Sequence, residues 1–138
     1  MSDTSLTGTC LCEAVKISTT SPLNKVEVCH CSMCRKWGSG PCFSMNAGSD
    51  VTIQGSDSIA SYQSSEWAER AFCKKCGTHL YYLFKGPNHY LVTPGLFTDL
   101  NPEFDMQIFI DEKPEYYCFS NDTKNLTGEE VIAMFAEE

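Results

Sequence analysis

Residues 29–36 read C-H-C-S-M-C-R-K and place three cysteines within six positions, as C-x-C-x-x-C. We call Cys29, Cys31 and Cys34 the cysteine triplet. Thiolates are soft ligands, and three of them this close together can bind one metal ion from a single loop. Because tetrahedral zinc takes four ligands, a site made of three thiolates leaves one position open for water or another molecule.

Two further cysteine pairs form what we call the four-cysteine cluster: Cys10 with Cys12, and Cys73 with Cys76. Gly77 follows the second pair and tolerates the positive φ of a tight turn. Four thiolates satisfy tetrahedral zinc, so we predict a closed, structural zinc site. The same cysteine spacing also suits an iron ion bound by four thiolates. Buried free thiols and a redox C-x-x-C are competing interpretations, although no strand–helix–strand pattern surrounds the motif as a redox site would require.

The cysteine triplet admits three interpretations. It forms an open zinc site, or a four-ligand structural site completed by His30, Cys42 or Cys118, or a set of reactive thiols without metal. We favour the open site. Cys42 and Cys118 lie in apolar, strand-like segments, so we predict that each is a small core residue. A residue between two ligands is usually directed away from the ion, so His30 is expected to point elsewhere.

Composition limits the class of protein. The chain has 138 residues, of which 42% are hydrophobic, and we predict a single domain over residues 1–138. The net charge of −8 argues against nucleic acid as a partner. No apolar run approaches membrane-spanning length, and residues 1–5 lack the pattern of a signal peptide, so we expect no membrane and a cytoplasmic location. The sequence does not indicate an oligomeric state.

The number of cysteines helps to decide between disulfides and metal binding. Nine cysteines are present, an odd number that disulfides within one chain cannot use completely. In a reducing compartment, C-x-C and C-x-x-C spacings indicate metal binding rather than disulfides.

Short segments with strand-like patterns fill most of the chain. Residues 14–18 and 25–28 alternate apolar and polar side chains, and the second segment leads directly to Cys29. Further strand-like segments follow at residues 42–45, 51–53, 59–62, 68–72, 79–84, 89–93, 106–110 and 115–119. This spacing predicts an all-β sandwich, barrel or coiled sheet. Only the C-terminus predicts a helix, with Thr127 and Glu130 as a capping box.

The charge at an open three-thiolate site favours one kind of chemistry. Three thiolates on Zn²⁺ give a net charge of about −1, so the ion is a poorer Lewis acid than in a three-histidine site. A coordinating thiol still loses its proton. Arg35 and Lys36 follow the cysteine triplet directly and could bind the carboxylates of an anionic thiol such as glutathione. Ordinary solvated surface charge is the competing interpretation for both residues.

The order of these motifs resembles a known family. The chain has Gly8-x-Cys10-x-Cys12, then C-H-C-S-M-C-R-K at residues 29–36, Y-x-S-S at 62–65 and R-x-F-C-x-x-C-G-T-x-L at 70–80. This pattern resembles the glutathione-dependent formaldehyde-activating enzyme family (GFA), part of a superfamily that also contains centromere protein V. The resemblance runs from about residue 8 to about residue 119.

The resemblance implies a mainly β fold of several coiled sheets. With the helix indicated by the capping box, we predict several coiled antiparallel sheets around a zinc-ribbon-like site and a short C-terminal helix. It also implies two zinc sites: a structural one in the four-cysteine cluster, and a labile, catalytic one in the cysteine triplet. The family's namesake activity joins formaldehyde to glutathione and is classed with carbon–sulfur lyases. Glu13, Gln107 and Tyr116 depart from the residues that family members often have, which affects the expected substrate pocket. A zinc-stabilised binding module without turnover is the second candidate function.

Overall fold

The computed structural model describes residues 5–136, with side chains up to residue 134. The described chain is mainly β with two short α-helices, which confirms the predicted fold class and the C-terminal helix. No helix in the described part of the chain is long and apolar enough to cross a membrane. The strands are β1 (Leu6–Thr9), β2 (Lys16–Thr19), β3 (Lys25–Cys29), β4 (Cys42–Gly48), β5 (Thr52–Gln54), β6 (Ile59–Gln63), β7 (Ala68–Cys73), β8 (His79–Phe84), β9 (His89–Val92), β10 (Glu103–Ile108) and β11 (Lys124–Leu126), and the helices are α1 (Ser32–Gly38) and α2 (Gly128–Ala136).

The chain divides into two compact units, and each unit uses two separate parts of the sequence. The first unit comprises Met1–Asn24 and Ser44–Asn101. The second unit comprises Lys25–Phe43 and Pro102–Glu138. The four-cysteine cluster belongs to the first unit and the cysteine triplet to the second. A single domain over residues 1–138 stays a prediction.

Antiparallel strands build the first unit. One sheet has the order β1-β2-β5, and the other strands follow one another as β4-β9-β8-β7-β6. Val15, Ile17, Met45, Leu80 and Val92 are almost fully buried and form the core of this unit. Burying each of these side chains contributes about 1.5–3 kcal/mol of transfer free energy, which is what holds the short strands together.

Parallel pairing distinguishes the second unit, in which the strand order is β11-β10-β3. Strand β10 pairs in parallel with both β3 and β11, whereas the predicted sheets are antiparallel. The strands β3 and β10 are far apart in sequence, so no short hairpin forces them to run in opposite directions. The register places Gln107 opposite Val28 and Ile108 opposite Cys29. This pairing carries β10 to the edge of the cysteine triplet.

Two local predictions are wrong. Residues 32–38 form helix α1, although the sequence indicated a loop there. Residues 115–119 form no strand, although their aromatic composition is typical of one. Their aromatic rings pack instead on side chains of the same unit, since the rings of Phe119 and Phe104 lie 5.2 Å apart and those of Tyr117 and His30 lie 5.5 Å apart. Aromatic side chains give a strand-like composition wherever they are buried, in a strand or not.

The start of helix α2 has the predicted capping box. The N–H of Thr127 donates to the Glu130 carboxylate at 2.8 Å, and the N–H of Glu130 donates to the Thr127 hydroxyl at 3.1 Å. Two of the four N–H groups that a helix leaves without intrahelical partners are thereby satisfied. The side chains of Phe135 and Ala136, the last two residues of α2, lie outside the described residues.

Candidate metal centres

Two turns of the first unit bring the four-cysteine cluster together. Cys10 and Cys12 lie in the connection between β1 and β2, whereas Cys73 ends β7 and Cys76 lies in the turn before β8. The four sulfur atoms lie within 4.8 Å of one another. Cys10 and Cys73 are buried, so the cluster has one side in the core of the unit.

The sulfur–sulfur distances fit a tetrahedral ion. The Cys12 sulfur lies 3.7 Å from that of Cys10 and 3.7 Å from that of Cys73. A tetrahedron with zinc–sulfur bonds of about 2.3 Å has edges of about 3.8 Å. The donor set and its spacing therefore fit zinc, and the same geometry admits other ions that prefer four thiolates.

Thr78 links the two turns of the four-cysteine cluster. Its hydroxyl accepts a hydrogen bond from the N–H of Leu11 at 3.1 Å and lies 3.1 Å from the Cys76 sulfur. Hydrogen bonds from the side chain and then the backbone of Thr78 lower the pKa of Cys76 to about 5. The lowered pKa favours the thiolate of Cys76, which is the form that binds metal.

Both cysteine pairs turn the chain through a left-handed backbone conformation. Gly77 has φ = 81° directly after Cys76, as the sequence predicted. Glu13 has φ = 66° directly after Cys12. A residue with a Cβ is destabilised in this region, whereas glycine is not. A glutamate rather than a glycine at position 13 therefore affects the backbone of the turn that follows Cys12.

The cysteine triplet lies at the junction of a strand and a helix in the second unit. Cys29 is the last residue of β3, Cys31 is the N-cap of α1, and Cys34 is in the first turn of α1. The three sulfur atoms lie within 4.8 Å of one another. The Cys31 sulfur accepts a hydrogen bond from the N–H of Cys34 at 3.4 Å. The motif is folded as a strand end and a helical turn, which fixes its ligands more rigidly than a loop would.

Contacts among the thiols of the triplet raise the pKa of one cysteine and lower that of another. Interaction with Cys31 and then Cys34 raises the pKa of Cys29 well above its ordinary value. Interaction with Cys29 and then Cys31 lowers the pKa of Cys34. Adjacent thiols cannot all ionise without a nearby positive charge. This donor set therefore favours a cation that binds all three.

The three candidates for a fourth ligand of the triplet, His30, Cys42 and Cys118, differ in burial and in contacts. Cys118 is exposed and Cys42 is only half-buried, so the prediction that both are core residues is wrong for Cys118 and incomplete for Cys42. The Cys42 thiol is in hydrogen-bonding contact with Cys34, yet Cys42 lies outside the set of described residues whose sulfurs are mutually within 4.8 Å. His30 has both ring nitrogens engaged by protein partners, as described next.

His30 is fully buried between two members of the triplet. Its Nδ1 lies 2.8 Å from the Tyr117 hydroxyl, and its Nε2 lies 2.8 Å from the Gln107 Oε1. The Gln107 amide donates in turn to the Thr123 hydroxyl at 2.9 Å, and that hydroxyl donates to Asn125 at 2.7 Å. Burial lowers the pKa of His30, so the ring is neutral. In this hydrogen-bond pattern Nε2 carries the proton and Nδ1 accepts from Tyr117.

Sequence reasoning missed Gln107 and Tyr117 as partners of this site. They lie 77 and 87 positions from His30 in the chain. In the sequence EFDMQI of β10, Gln107 falls on the polar face with Glu103 and Asp105, so only its departure from the residue that family members often have drew attention to it. Nothing in the residues around Tyr117 distinguishes it from its neighbour Tyr116.

Arg35 and Lys36 lie in the last turn of α1, as basic residues often do. Arg35 is half-buried, and its Nε donates to the backbone carbonyl of His30 at 2.9 Å. Lys36 is exposed. Arg35 therefore supports the triplet from within, while Lys36 extends into solvent.

An open groove of about 760 Å³ lies beside the four-cysteine cluster in the first unit. Five threonines line it, together with Glu13 and His79 among others. No residue of the cysteine triplet lines it, so we assign this groove no part in the chemistry.

A mainly β scaffold carrying two clusters of thiols, of four and three members, defines a candidate thiolate–metal protein. The chain belongs to the glutathione-dependent formaldehyde-activating enzyme family, whose model matches residues 5–112. The resemblance recognised in the sequence is thereby confirmed.

Similar proteins come from distant organisms. A protein of Schizosaccharomyces pombe described as an uncharacterized lyase is 38% identical over 127 residues, which cover 91% of this chain and 93% of the relative. A protein of Halomonas elongata, named provisionally as a glutathione-dependent formaldehyde-activating enzyme, is 28% identical over 127 residues, covering 80% of this chain and 78% of the relative. The crystal structure of a Rhodobacter sphaeroides protein matches with a TM-score of 0.59 at 28% identity, covering 70% of this chain and 92% of that one.

Proposed function

We propose that the protein is a zinc-dependent enzyme of the carbon–sulfur lyase type that joins a thiol, such as glutathione, to a small carbonyl compound, such as formaldehyde. Membership of the family and the names of its relatives support the enzyme class. The observation that carries the proposal is the cysteine triplet, whose three sulfurs lie within 4.8 Å of one another with no fourth member in the set among the described residues.

The triplet supplies the metal-binding part of this function. Zinc held by Cys29, Cys31 and Cys34 would supply an open position at which an incoming thiol loses its proton. The four-cysteine cluster would hold a second, structural zinc. Both clusters need reduced thiols, so the proposal includes a reducing compartment, the cytoplasm.

The reaction needs few other groups. The thiol releases its proton to solvent, the thiolate sulfur forms a bond to the carbonyl carbon, the π electron pair moves to the oxygen, and that oxygen takes a proton back from solvent. The reverse reaction breaks the carbon–sulfur bond. Lys36 and the outer nitrogens of Arg35 would bind the carboxylates of an anionic thiol, and Arg35 is already oriented by its hydrogen bond to His30.

The test compares two cysteine variants with the zinc-loaded protein. NMR exchange spectroscopy measures how fast glutathione and formaldehyde interconvert with their adduct, after subtraction of the spontaneous rate. We expect the unmodified protein to accelerate the exchange, Cys31→Ser to leave only the spontaneous rate, and Cys118→Ser to behave as the unmodified protein. Cys118→Ser is the matched control, because Cys118 is an exposed cysteine outside both clusters.

The result that contradicts the proposal is equally specific. If the zinc-loaded protein neither binds a thiol nor accelerates the exchange, the function as an enzyme fails. The protein would then be a binding module that zinc stabilises.

A further inference from the structure

His30 is held by every polar group it possesses. Its backbone N–H donates to the carbonyl of Ile108 at 3.1 Å, and its carbonyl accepts from the Arg35 Nε at 2.9 Å. Its two ring nitrogens each have a partner at 2.8 Å, in Tyr117 and Gln107. These contacts tie the residue to β10, to α1 and to residues 115–119. The residue between Cys29 and Cys31 is thereby held by four hydrogen bonds to three parts of the chain.

The ring contacts are themselves well supported. Gln107 is buried and donates to Thr123, so its amide has little freedom to turn. Tyr117 stacks on the His30 ring with an interplanar angle of 27°, and the Lys113 ammonium donates to the Tyr117 carbonyl at 2.7 Å. Because His30 and Gln107 are buried and hydrogen-bonded, the network favours one arrangement over others.

A fourth thiol, that of Cys42, interacts with the triplet through Cys34. Cys42 is in hydrogen-bonding contact with Cys34 but stays outside the sulfur set of the triplet. A metal ion with three thiolates would gain a fourth if the triplet shifted toward Cys42. Such a shift would fill the position that a thiol substrate needs.

We propose that Gln107 and Tyr117 are positioning residues that act through His30 to hold the cysteine triplet open, so that Cys42 does not become a fourth ligand and the coordination position remains for the thiol substrate. The inference rests on the proposed function, because it concerns the open position of the same site. It assigns a role to a buried network and a neighbouring thiol that the reaction itself does not use.

The test counts thiolate ligands with cobalt. Cobalt(II) is added at the triplet after mild chelation, with zinc retained in the four-cysteine cluster, and the thiolate-to-cobalt absorption measures the number of bound thiolates. We expect three in the unmodified protein. We expect four in Gln107→Met and in Tyr117→Phe, together with loss of glutathione binding, because a fourth protein thiolate occupies the position that the thiol needs.

Removal of Cys42 separates this mechanism from general damage. In the double variants Gln107→Met/Cys42→Ala and Tyr117→Phe/Cys42→Ala, three thiolates and the original glutathione affinity should return. A merely structural role for the network gives no such rescue. Tyr62→Phe is the control, since it makes the same chemical change as Tyr117→Phe at an exposed residue of the first unit.

The possible outcomes distinguish failure of this inference from failure of the proposed function. Four protein thiolates in the unmodified protein, or unchanged thiolate number and affinity in both single variants, overturn this inference and leave the thiol chemistry to be judged by the exchange assay. Weaker binding that removal of Cys42 does not rescue also overturns it. A triplet that takes up no cobalt overturns the proposed function and this inference with it. Tyr117→Phe retains the ring that stacks on His30, so it keeps the test valid if Gln107→Met does not fold.

Discussion

The four-cysteine cluster and the cysteine triplet use the same ligand in two different ways. The first joins two distant turns of one unit, and it has four sulfurs, two pairs of which lie 3.7 Å apart, close to the edge of a zinc–thiolate tetrahedron. The second uses ligands from one short segment, and its set of sulfurs has three members. A structural metal site has every coordination position filled by protein ligands, whereas a catalytic site keeps one coordination position free.

Removing one ligand from each cluster should give the largest contrast. In Cys76→Ser the remaining ligands cannot complete the site, so we expect loss of that zinc and of most of the free energy of unfolding, since structural zinc contributes about 10 kcal/mol or more. In Cys31→Ser we expect loss of the other metal and little change in stability. Thermal melting with metal analysis measures both effects. Equal melting temperatures for the two variants would show that the clusters do not differ in this way.

Chelation should separate the two metals without mutation. Three protein ligands hold an ion less tightly than four, and the open position gives a chelator access to it. We expect a mild chelator to remove one metal while the melting temperature stays nearly constant, and a strong chelator to remove the second with unfolding. Simultaneous loss of both metals with cooperative unfolding would contradict this order.

Charge at the triplet should produce a smaller effect on substrate choice. We expect Lys36→Gln to weaken binding of glutathione about 1.4- to fivefold and to leave binding of a neutral thiol unchanged, because exposed ion pairs contribute about 0.2–1 kcal/mol. Calorimetry with the two thiols measures the difference. Lys75→Gln, a change of the same kind at an exposed lysine of the first unit, is the control. An equal effect of Lys36→Gln on both thiols would remove Lys36 from carboxylate binding.

The two turns of the four-cysteine cluster allow the finest comparison. Glu13 and Gly77 both have left-handed backbone conformations, with φ of 66° and 81°. Glu13→Gly should relieve a penalty of about 1–2 kcal/mol, partly offset by the greater freedom of glycine in the unfolded chain, for a net gain below about 1 kcal/mol. Gly77→Ala should lose about 1 kcal/mol, since no atom lies within 4 Å of the added Cβ and only the backbone conformation is strained. Denaturant unfolding of the zinc-loaded variants measures both changes, and effects of the same sign would refute the comparison.

The parts of the molecule that were predictable depend on local pattern. Period-2 alternation located β3 to within one residue, a run of strand-forming residues located β8, and the Thr127–Glu130 capping box located α2. Both cysteine clusters were predicted as groups, since their spacing brings sulfurs together once a turn is tight. Family membership followed from the order of the motifs.

The parts that were not predictable depend on long-range packing. Helix α1 has only seven residues, which is too short to show a helical stripe of apolar side chains. The sequence pattern therefore did not predict it. The parallel pairing of β10 with β3 joins segments about eighty residues apart, and no local signal fixes its direction. The network that holds His30 depends on that pairing, because the register of β10 is what carries Gln107 to the ring.

The central claim is that one cluster is closed and the other open to a thiol. Cadmium-113 NMR of the protein loaded with two equivalents of cadmium tests it directly, since each resonance reports the ligands of one ion. The account predicts two resonances, of which only one shifts when glutathione is added and is lost in Cys31→Ser. Two resonances that both ignore glutathione would contradict it.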